Sequence, residues 1–199
     1  MNASFRAARL LALALVALFA LSGCITPHMY VQGGMPLLAA SDFTPPTPKK
    51  PVQLLFEFRA KGSPNASATK QIRPFVESVA NASGLFAAVS PTPADGGVLA
   101  ITIDNVPLTD DVAAKGFGTG LTLGLVGTMV TDGYVCKATY TANGRTTQAE
   151  VKHAISTTIG NHAGPPGLTP MDPRSAVDLA MREITWQLLK RLADQHAFD

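Results

Sequence analysis

Two cysteines are the residues of this chain with the most evident chemistry, and they stand in different sequence contexts. Cys24 ends the stretch of residues 21–24 (Leu-Ser-Gly-Cys), which follows an almost wholly apolar run from Leu10 to Leu21. Arg6 and Arg9 precede that run, and a basic start before a short apolar segment is typical of a secretory signal. The run is too short for an ordinary membrane-spanning helix. The pattern therefore predicts an exported protein with a thiol at the cleavage point.

Residues 21–24 resemble the lipobox of bacterial lipoproteins. In that family the thiol is diacylated, the chain is cut before it, and the new amine is acylated. The resemblance implies that residues 1–23 are a signal peptide and that Cys24 is the lipidation site, anchored stably by three acyl chains where one would not suffice. Members kept in the inner membrane commonly carry Asp after the cysteine, whereas this chain has Ile25. The resemblance thus also implies an outer-membrane, periplasm-facing protein.

The other candidate reactive side chains show no arrangement that makes a catalytic or metal site. Cys136 shares a predicted strand face with Tyr134, Ala138 and Tyr140, so we expect a buried thiol with a raised pKa and little reactivity. A periplasmic redox thiol is the less favoured interpretation. The adjacent acids Asp110 and Asp111 would point in different directions on a helix, which favours a solvated cap over a catalytic pair.

Histidines give the same result. No two of the four have the spacing of metal ligands; they are His28, His153, His162 and His196. His153 lies on a predicted strand face with Ala149, Val151 and Ile155, where a packed core residue is expected. The sequence therefore predicts no catalytic residue, no metal site and no cofactor.

An uncharged glycine-rich stretch, residues 116–131, lies between Lys115 and Asp132. Its glycines stand four apart and its leucines surround them: Gly116, Gly120, Gly124, Leu121, Leu123 and Leu125. On a helix such glycines form a smooth ridge that another helix can approach closely. Sixteen helical residues reach about 24 Å, which is less than the roughly 30 Å hydrocarbon core. A full span is therefore not expected, and two interpretations stay open: contact with a membrane or partner, or internal packing. Leu121 stands where a nucleotide-binding loop needs a third glycine, so a phosphate site is not predicted.

The elements that must position these residues follow from periodicity and turn signals. Residues 24–50, with Cys24 and several prolines, are expected to be an extended tether, and packing of its apolar patch, residues 35–40, on the domain stays open. The sequence after residue 50 predicts a strand at 52–59, then a helix that starts after Asn65 or Ser67 and ends at Gly84. Strands are expected at 85–89 and 99–104, followed by a hairpin of 134–141 and 145–157 around Asn143-Gly144. A final helix is expected after Asp172-Pro173, and its apolar stripe consists of Val177, Ala180, Ile184, Leu188 and Leu192. Pro74 either kinks the first helix or marks its true start.

These elements predict one α+β domain over residues 51–199. We expect a two-layer sandwich, in which an antiparallel or mixed sheet of about four to five strands carries two helices on one face, with the apolar insert at 111–132. The precursor has a formal net charge of +2. Since Arg6 and Arg9 would leave with the signal, the mature chain is formally neutral, which argues against nucleic-acid binding. If Cys24 carries lipid, Cys136 has no partner for a disulfide.

The order of elements over residues 51–195 resembles the small α/β sandwich of the outer-membrane lipoprotein that helps to assemble lipopolysaccharide. It is also similar to auxiliary lipoproteins of envelope ABC-type lipid transporters. The resemblance implies a non-enzymatic accessory module that binds another envelope protein or a lipid. Two alternatives remain open: a small periplasmic hydrolase or redox protein, and an oligomeric secretion or pore component that inserts into the membrane.

Overall fold

The computed structural model describes residues 27–108 and 128–199. Within these residues the strands are β1 (His28–Val31), β2 (Val52–Ala60), β3 (Ser63–Pro64), β4 (Val89–Ser90), β5 (Val98–Pro107), β6 (Thr128–Ala142) and β7 (Arg145–Ile159). The helices are α1 (Ala66–Ala82) and α2 (Pro173–Ala193), and a short 3-10 turn covers Ala40–Asp42. No helix among the described residues is long and apolar enough to cross a membrane.

The strands form one open mixed sheet in the order β1-β7-β6-β5-β2-β3, with β4 beside β2. The pairs β2–β5 and β2–β4 are parallel, and the other pairs are antiparallel. The α+β class with a mixed sheet and two helices is confirmed. The sheet has seven strands among the described residues instead of four to five. The additional strands are short, because β1 has four residues and β3 and β4 have two each.

The core follows the predicted alternation along the strands. In β2 the side chains of Val52, Leu54, Phe56 and Phe58 are buried, while Leu55 on the other face is 49% exposed. Leu99, Ile101 and Ile103 of β5 continue the buried face, and their partners in β6 are Tyr140, Ala138 and Cys136. Helix α1 packs on β2, and α2 packs on β7, β6 and β1; the two helices also contact each other. The predicted stripe of α2 is buried except at Val177, which is half-buried.

Both helix starts and the hairpin turn follow their local sequence signals. The side chains of Asn65 and Asp172 accept hydrogen bonds from the backbone N–H groups of Ala68 and Ser175, each at 3.0 Å. Helix α1 therefore starts before Pro74, which lies inside it. Asn143 and Gly144 have φ values of 51° and 73°, as a tight two-residue hairpin turn requires.

Residues 28–43 are packed on the domain, whereas an extended tether was expected for them with packing left open only for the apolar patch 35–40. His28–Val31 form strand β1 and pair with Ile155–Thr158 of β7. Further on, the Pro36 carbonyl accepts a hydrogen bond from Gln187 at 3.0 Å, and Phe43 is buried 5.4 Å from Trp186. The prolines and glycines stop helix formation here, but the apolar side chains between them still find buried positions, so this segment belongs to the domain.

Two other boundaries also differ from the prediction. Only Val89 of the predicted 85–89 strand lies in β4. Leu85 and Phe86 are buried in the core but lie outside the strands of the sheet. The last residues of the predicted insert, 128–132, belong to β6 and pair with residues 155–159 of β7. Their threonines and β-branched valine suit an extended ladder.

Candidate functional site

A cleft of about 400 Å³ lies at the end of the sheet where β6 turns into β7. We call it the distal cleft. Its walls come from five parts of the chain that are distant in sequence: residues 46–50, 85–86, 95–96, 140–147 and 197–199. The hairpin turn thus meets the proline-rich segment and the last residues of the sequence around one concavity. Its volume falls in the range of small-molecule sites.

Three aromatic rings form the apolar side of the distal cleft. The ring of Phe198 lies 5.2 Å from that of Phe86 and 4.9 Å from that of Tyr140, in both cases edge-on. The Tyr140 hydroxyl donates a 2.6 Å hydrogen bond to the carbonyl of Gly96, and burial raises the pKa of Tyr140. Edge-to-face contacts of this kind stabilise a ring cluster beyond simple burial. The cluster therefore fixes residues 197–199 against the sheet.

A close backbone approach brings the 95–96 wall into place. Gly97 has φ of 101°, and a Cβ atom there would lie 2.3 Å from the Thr141 carbonyl oxygen. Only glycine fits this conformation at this distance. The turn before β5 is consequently pressed against the end of β6, and this places Gly96 under the Tyr140 hydroxyl.

Charges of both signs line the distal cleft. Lys50 and Arg145 are the cations, and Asp95 and Asp199 are the anions. Asp199 is bonded to the ring of His196 at 2.8 Å, and Arg145 makes a long 3.5 Å bond to the carbonyl of Gln195. An apolar group could rest on the aromatic rings while its polar end meets these charges. The arrangement therefore fits recognition of an amphipathic ligand or side chain.

A second cavity of about 380 Å³ adjoins the distal cleft. The two cavities share Pro46, Phe198 and Asp199, so residues 198–199 lie between them. Its other lining side chains include Phe43, Lys190 and His196. Together the cavities form a longer concave region beneath the proline-rich segment.

The buried thiol has the properties that the sequence predicted. Cys136 is fully buried, and burial, helped by the negative charge of Glu150, raises its pKa to about 12. Its neighbour Tyr134 also has a pKa of about 12, mainly because of burial and then because of the charge of Asp132. Both groups therefore stay protonated near neutral pH. A protonated thiol is a poor nucleophile.

His153 is a packed core residue, as predicted, but it has a polar partner that the sequence analysis missed. Its ring nitrogen Nε2 lies 2.9 Å from Oε2 of Glu183 on α2, and its side chain is 2% exposed. The sequence did offer a signal for this partner, because Glu183 immediately precedes Ile184 in the apolar stripe of α2 and therefore lies at the edge of the buried face. The contact satisfies a buried ring nitrogen and ties α2 to β7.

The remaining predicted residues are not brought together. Cys24, Asp110, Asp111 and the insert residues Gly116, Gly120, Gly124, Leu121, Leu123 and Leu125 lie outside the described residues. His28 begins β1, His162 lies in an exposed loop, and His196 faces Asp199. In the part of the chain that the structure describes, no three acidic, histidine or cysteine side chains group as metal ligands would. The distal cleft was missed because Phe86, Tyr140 and Phe198 are far apart in sequence.

No protein-family model and no curated protein matches this sequence. Among solved structures, the chain is similar to two dodecamers of PelC from Paraburkholderia phytofirmans. One has a TM-score of 0.34 at 14% identity and covers 84% of this chain and 98% of that chain. The other has a TM-score of 0.32 at 13% identity and covers 83% and 97%. A DUF330 protein from Xanthomonas campestris has a TM-score of 0.34 at 14% identity and covers 77% of this chain and 94% of that chain.

Proposed function

We propose that this chain is a lipid-anchored lipoprotein of the outer membrane that faces the periplasm and acts as a non-enzymatic binding or assembly module. The observation that carries the proposal is the stretch of residues 21–24, ending in Cys24, after a basic and apolar start. Acylation of Cys24 would supply the membrane anchor. The packed domain then begins within a few residues, at strand β1.

The distal cleft supports the binding role. It combines an aromatic wall with Lys50, Arg145, Asp95 and Asp199, which suits recognition better than bond cleavage. The partner would be another envelope protein or a lipid. The glycine-rich residues of the insert, Gly116, Gly120 and Gly124 with Leu121, Leu123 and Leu125, are proposed as a second contact with a partner or membrane.

Two side chains of types that often act in catalysis, Cys136 and His153, are both committed to the core. Cys136 has a pKa of about 12, and the ring of His153 is held by Glu183. We also infer a two-layer sandwich with both helices on one face, since α1 and α2 contact the sheet and each other. The open face of the sheet carries the polar residues of β2 and β6, including Gln53, Glu57 and Lys137.

Replacing Cys24 by Ala tests the anchor. We expect the variant to take up no labelled palmitate and to leave the membrane fraction, because the acylated thiol is gone. Cys136→Ala is the matched control and should be labelled and fractionated like the wild type. Equal palmitate labelling of the Cys24→Ala protein would contradict the proposal.

Filling the distal cleft tests the binding role. Thr147 lines the cleft, and its neighbour Thr146 is exposed on the opposite face of β7. Lipidated protein is purified from membranes, and co-purifying lipids and proteins are identified by mass spectrometry. Thr147→Trp should lose a partner that Thr146→Trp retains. If both variants keep the same partners, binding does not use the distal cleft.

A further inference from the structure

A short connection joins the proposed lipid anchor to the sheet, and the inference drawn from it rests on the proposed lipidation of Cys24. Strand β1 begins at His28, four positions after Cys24, and His28 is paired with Thr158 of β7. Four extended residues span at most about 14 Å. The acyl chains would therefore hold this end of the sheet close to the bilayer, and a long flexible tether does not separate them.

Several chain segments meet at this end of the sheet. Strand β1 starts here, β7 ends here at Ile159, and β6 starts here at Thr128. The backbone of Met29 exchanges two hydrogen bonds with Met171, at 3.0 and 2.8 Å, which fixes the end of the 160–171 loop beside β1. We define the anchor end as residues 27–29, Leu108, 128–129 and 158–171.

The anchor end has no formal charge. None of its residues is Asp, Glu, Lys or Arg, and the sequence from His153 to Met171 contains none of them either. Within the anchor end, Leu108 is 63% exposed. Charged side chains of the described residues begin a few positions away: Asp132 in β6, Asp172 and the exposed Arg174 at the start of α2, and Lys61, whose backbone N–H bonds the Asn105 carbonyl where β2 ends.

A surface of this kind suits the headgroup layer of a bilayer. Moving a charge from water toward a less polar medium is costly unless the charge is paired, whereas uncharged loops and a single exposed leucine meet no such cost. The short connection from Cys24 to His28 and the absence of charged residues in the anchor end therefore both indicate that the anchor end faces the bilayer.

We propose that the anchor end lies directly against the lipid headgroups and that β6 and β7 rise from it toward the periplasm. Twelve residues separate Thr146 from Thr158 along β7, which corresponds to about 40 Å of strand. The distal cleft is thus held about that far from the bilayer surface. The anchor end is the lipid-contacting surface, and the distal cleft is left open to periplasmic partners.

Two exposed threonines give a matched test, Thr169 at the anchor end and Thr146 at the distal end. Each is replaced by Cys in the full lipidated chain and labelled with a fluorophore. Cys24 is acylated, and the buried thiol of Cys136 does not compete for the label. The proteins are placed in vesicles of phosphatidylethanolamine and phosphatidylglycerol that contain nitroxide-headgroup lipid.

We expect the label at Thr169→Cys to be quenched several-fold more strongly than the label at Thr146→Cys. Equal quenching, or quenching of neither label in protein that is acylated and vesicle-bound, overturns the proposed orientation while leaving the lipoprotein assignment intact. Absence of acyl mass at Cys24 overturns both. Ala163→Cys and Arg145→Cys form a second exposed pair, and melting of each labelled protein at the wild-type temperature shows that the fold is retained.

Discussion

The anchor end and the distal end of the sheet differ in how they distribute charge, although the same two long strands build both. Along the face of β7 that points away from the helices, the distal half carries exposed Gln148, Glu150 and Lys152. The anchor half of that face carries Ala154, Ser156 and Thr158, which are buried. One strand face therefore changes from charged and exposed to small and buried within a few residues.

For this fold, the position of charge along a strand is more informative about orientation than the total charge. A formal net charge of +2 for the whole sequence says nothing about orientation. The position of the charges does, because it leaves the side of this end formed by β1, β6, β7 and the 160–171 loop with none among its described residues. Substitutions in the shared core, at the distal end and at the buried titratable groups between them show how far the two ends behave independently.

The largest effect is expected in the core that joins the two ends. Leu188 is fully buried on α2. Leu188→Ala should lower the free energy of unfolding by about 2–5 kcal/mol, because it removes buried methyl groups and leaves a cavity. Urea unfolding measures the loss, and hydrogen exchange shows where it acts. Leu37→Ala, at a side chain that is 81% exposed, is the control. If exchange rises at one end only, the two ends do not share one cooperative core.

A smaller and local effect is expected at the distal end. Phe198→Ala removes two aromatic contacts, with Phe86 and with Tyr140, each worth about 0.5–1.5 kcal/mol. The total loss should be about 1–3 kcal/mol, with faster hydrogen exchange around the distal cleft and unchanged exchange in β1. Phe75→Ala, at a ring that is 38% exposed, should cost less. An equal loss in both variants would remove the aromatic cluster as the feature that organises this end.

The smallest change in the free energy of unfolding, counted per pH unit, is expected from raising the pH above neutrality. Burial raises the pKa values of Cys136 and Tyr134 to about 12, against about 8.5 for an unfolded cysteine and about 10 for an unfolded tyrosine. Above those values the unfolded chain releases protons that the folded protein keeps. Their stabilising contribution is therefore complete below about pH 8.5 and falls as pH rises, by about 1.4 kcal/mol per pH unit for each group.

Urea unfolding between pH 8 and pH 11 measures this decline. Cys136→Ala should remove the part that begins near pH 8.5, and Tyr134→Phe the part that begins near pH 10. Tyr134 lies toward the anchor half of β6 and Tyr140 lies at the distal end, so a Tyr140→Phe variant compares the two ends directly. Stability that stays constant over this range would show that neither Cys136 nor Tyr134 is protected by burial.

Local sequence signals predicted the parts of the fold that depend on neighbouring residues. The caps at Asn65 and Asp172, the turn at Asn143-Gly144 and the alternation in β2 are each decided within a few positions. The short strands were harder to predict. Strand β1 has only four residues, and its pairing with β7 depends on contacts more than a hundred positions away, so the prolines and glycines around it dominated the prediction.

The candidate site was less predictable for the same physical reason. Its ring cluster joins Phe86, Tyr140 and Phe198, and no spacing rule connects them. The anchor end did leave a signal, since the absence of charge between His153 and Met171 is visible in the sequence. The uncharged stretch can be assigned to the end of the sheet nearest Cys24 only once the structure shows that β1 pairs His28 with Thr158.

The antiparallel pairing of β1 with β7 has a mechanical consequence for an anchored protein. A pull between the bilayer and a partner in the distal cleft would run along the strands, drawing β1 and β7 in opposite directions. The backbone hydrogen bonds between them lie across that direction. They would therefore be loaded together in shear and would have to break together, whereas a pull across the strands would peel them apart one at a time. In the proposed orientation, the short edge strand β1 would therefore be loaded in the direction in which its pairing with β7 is strongest.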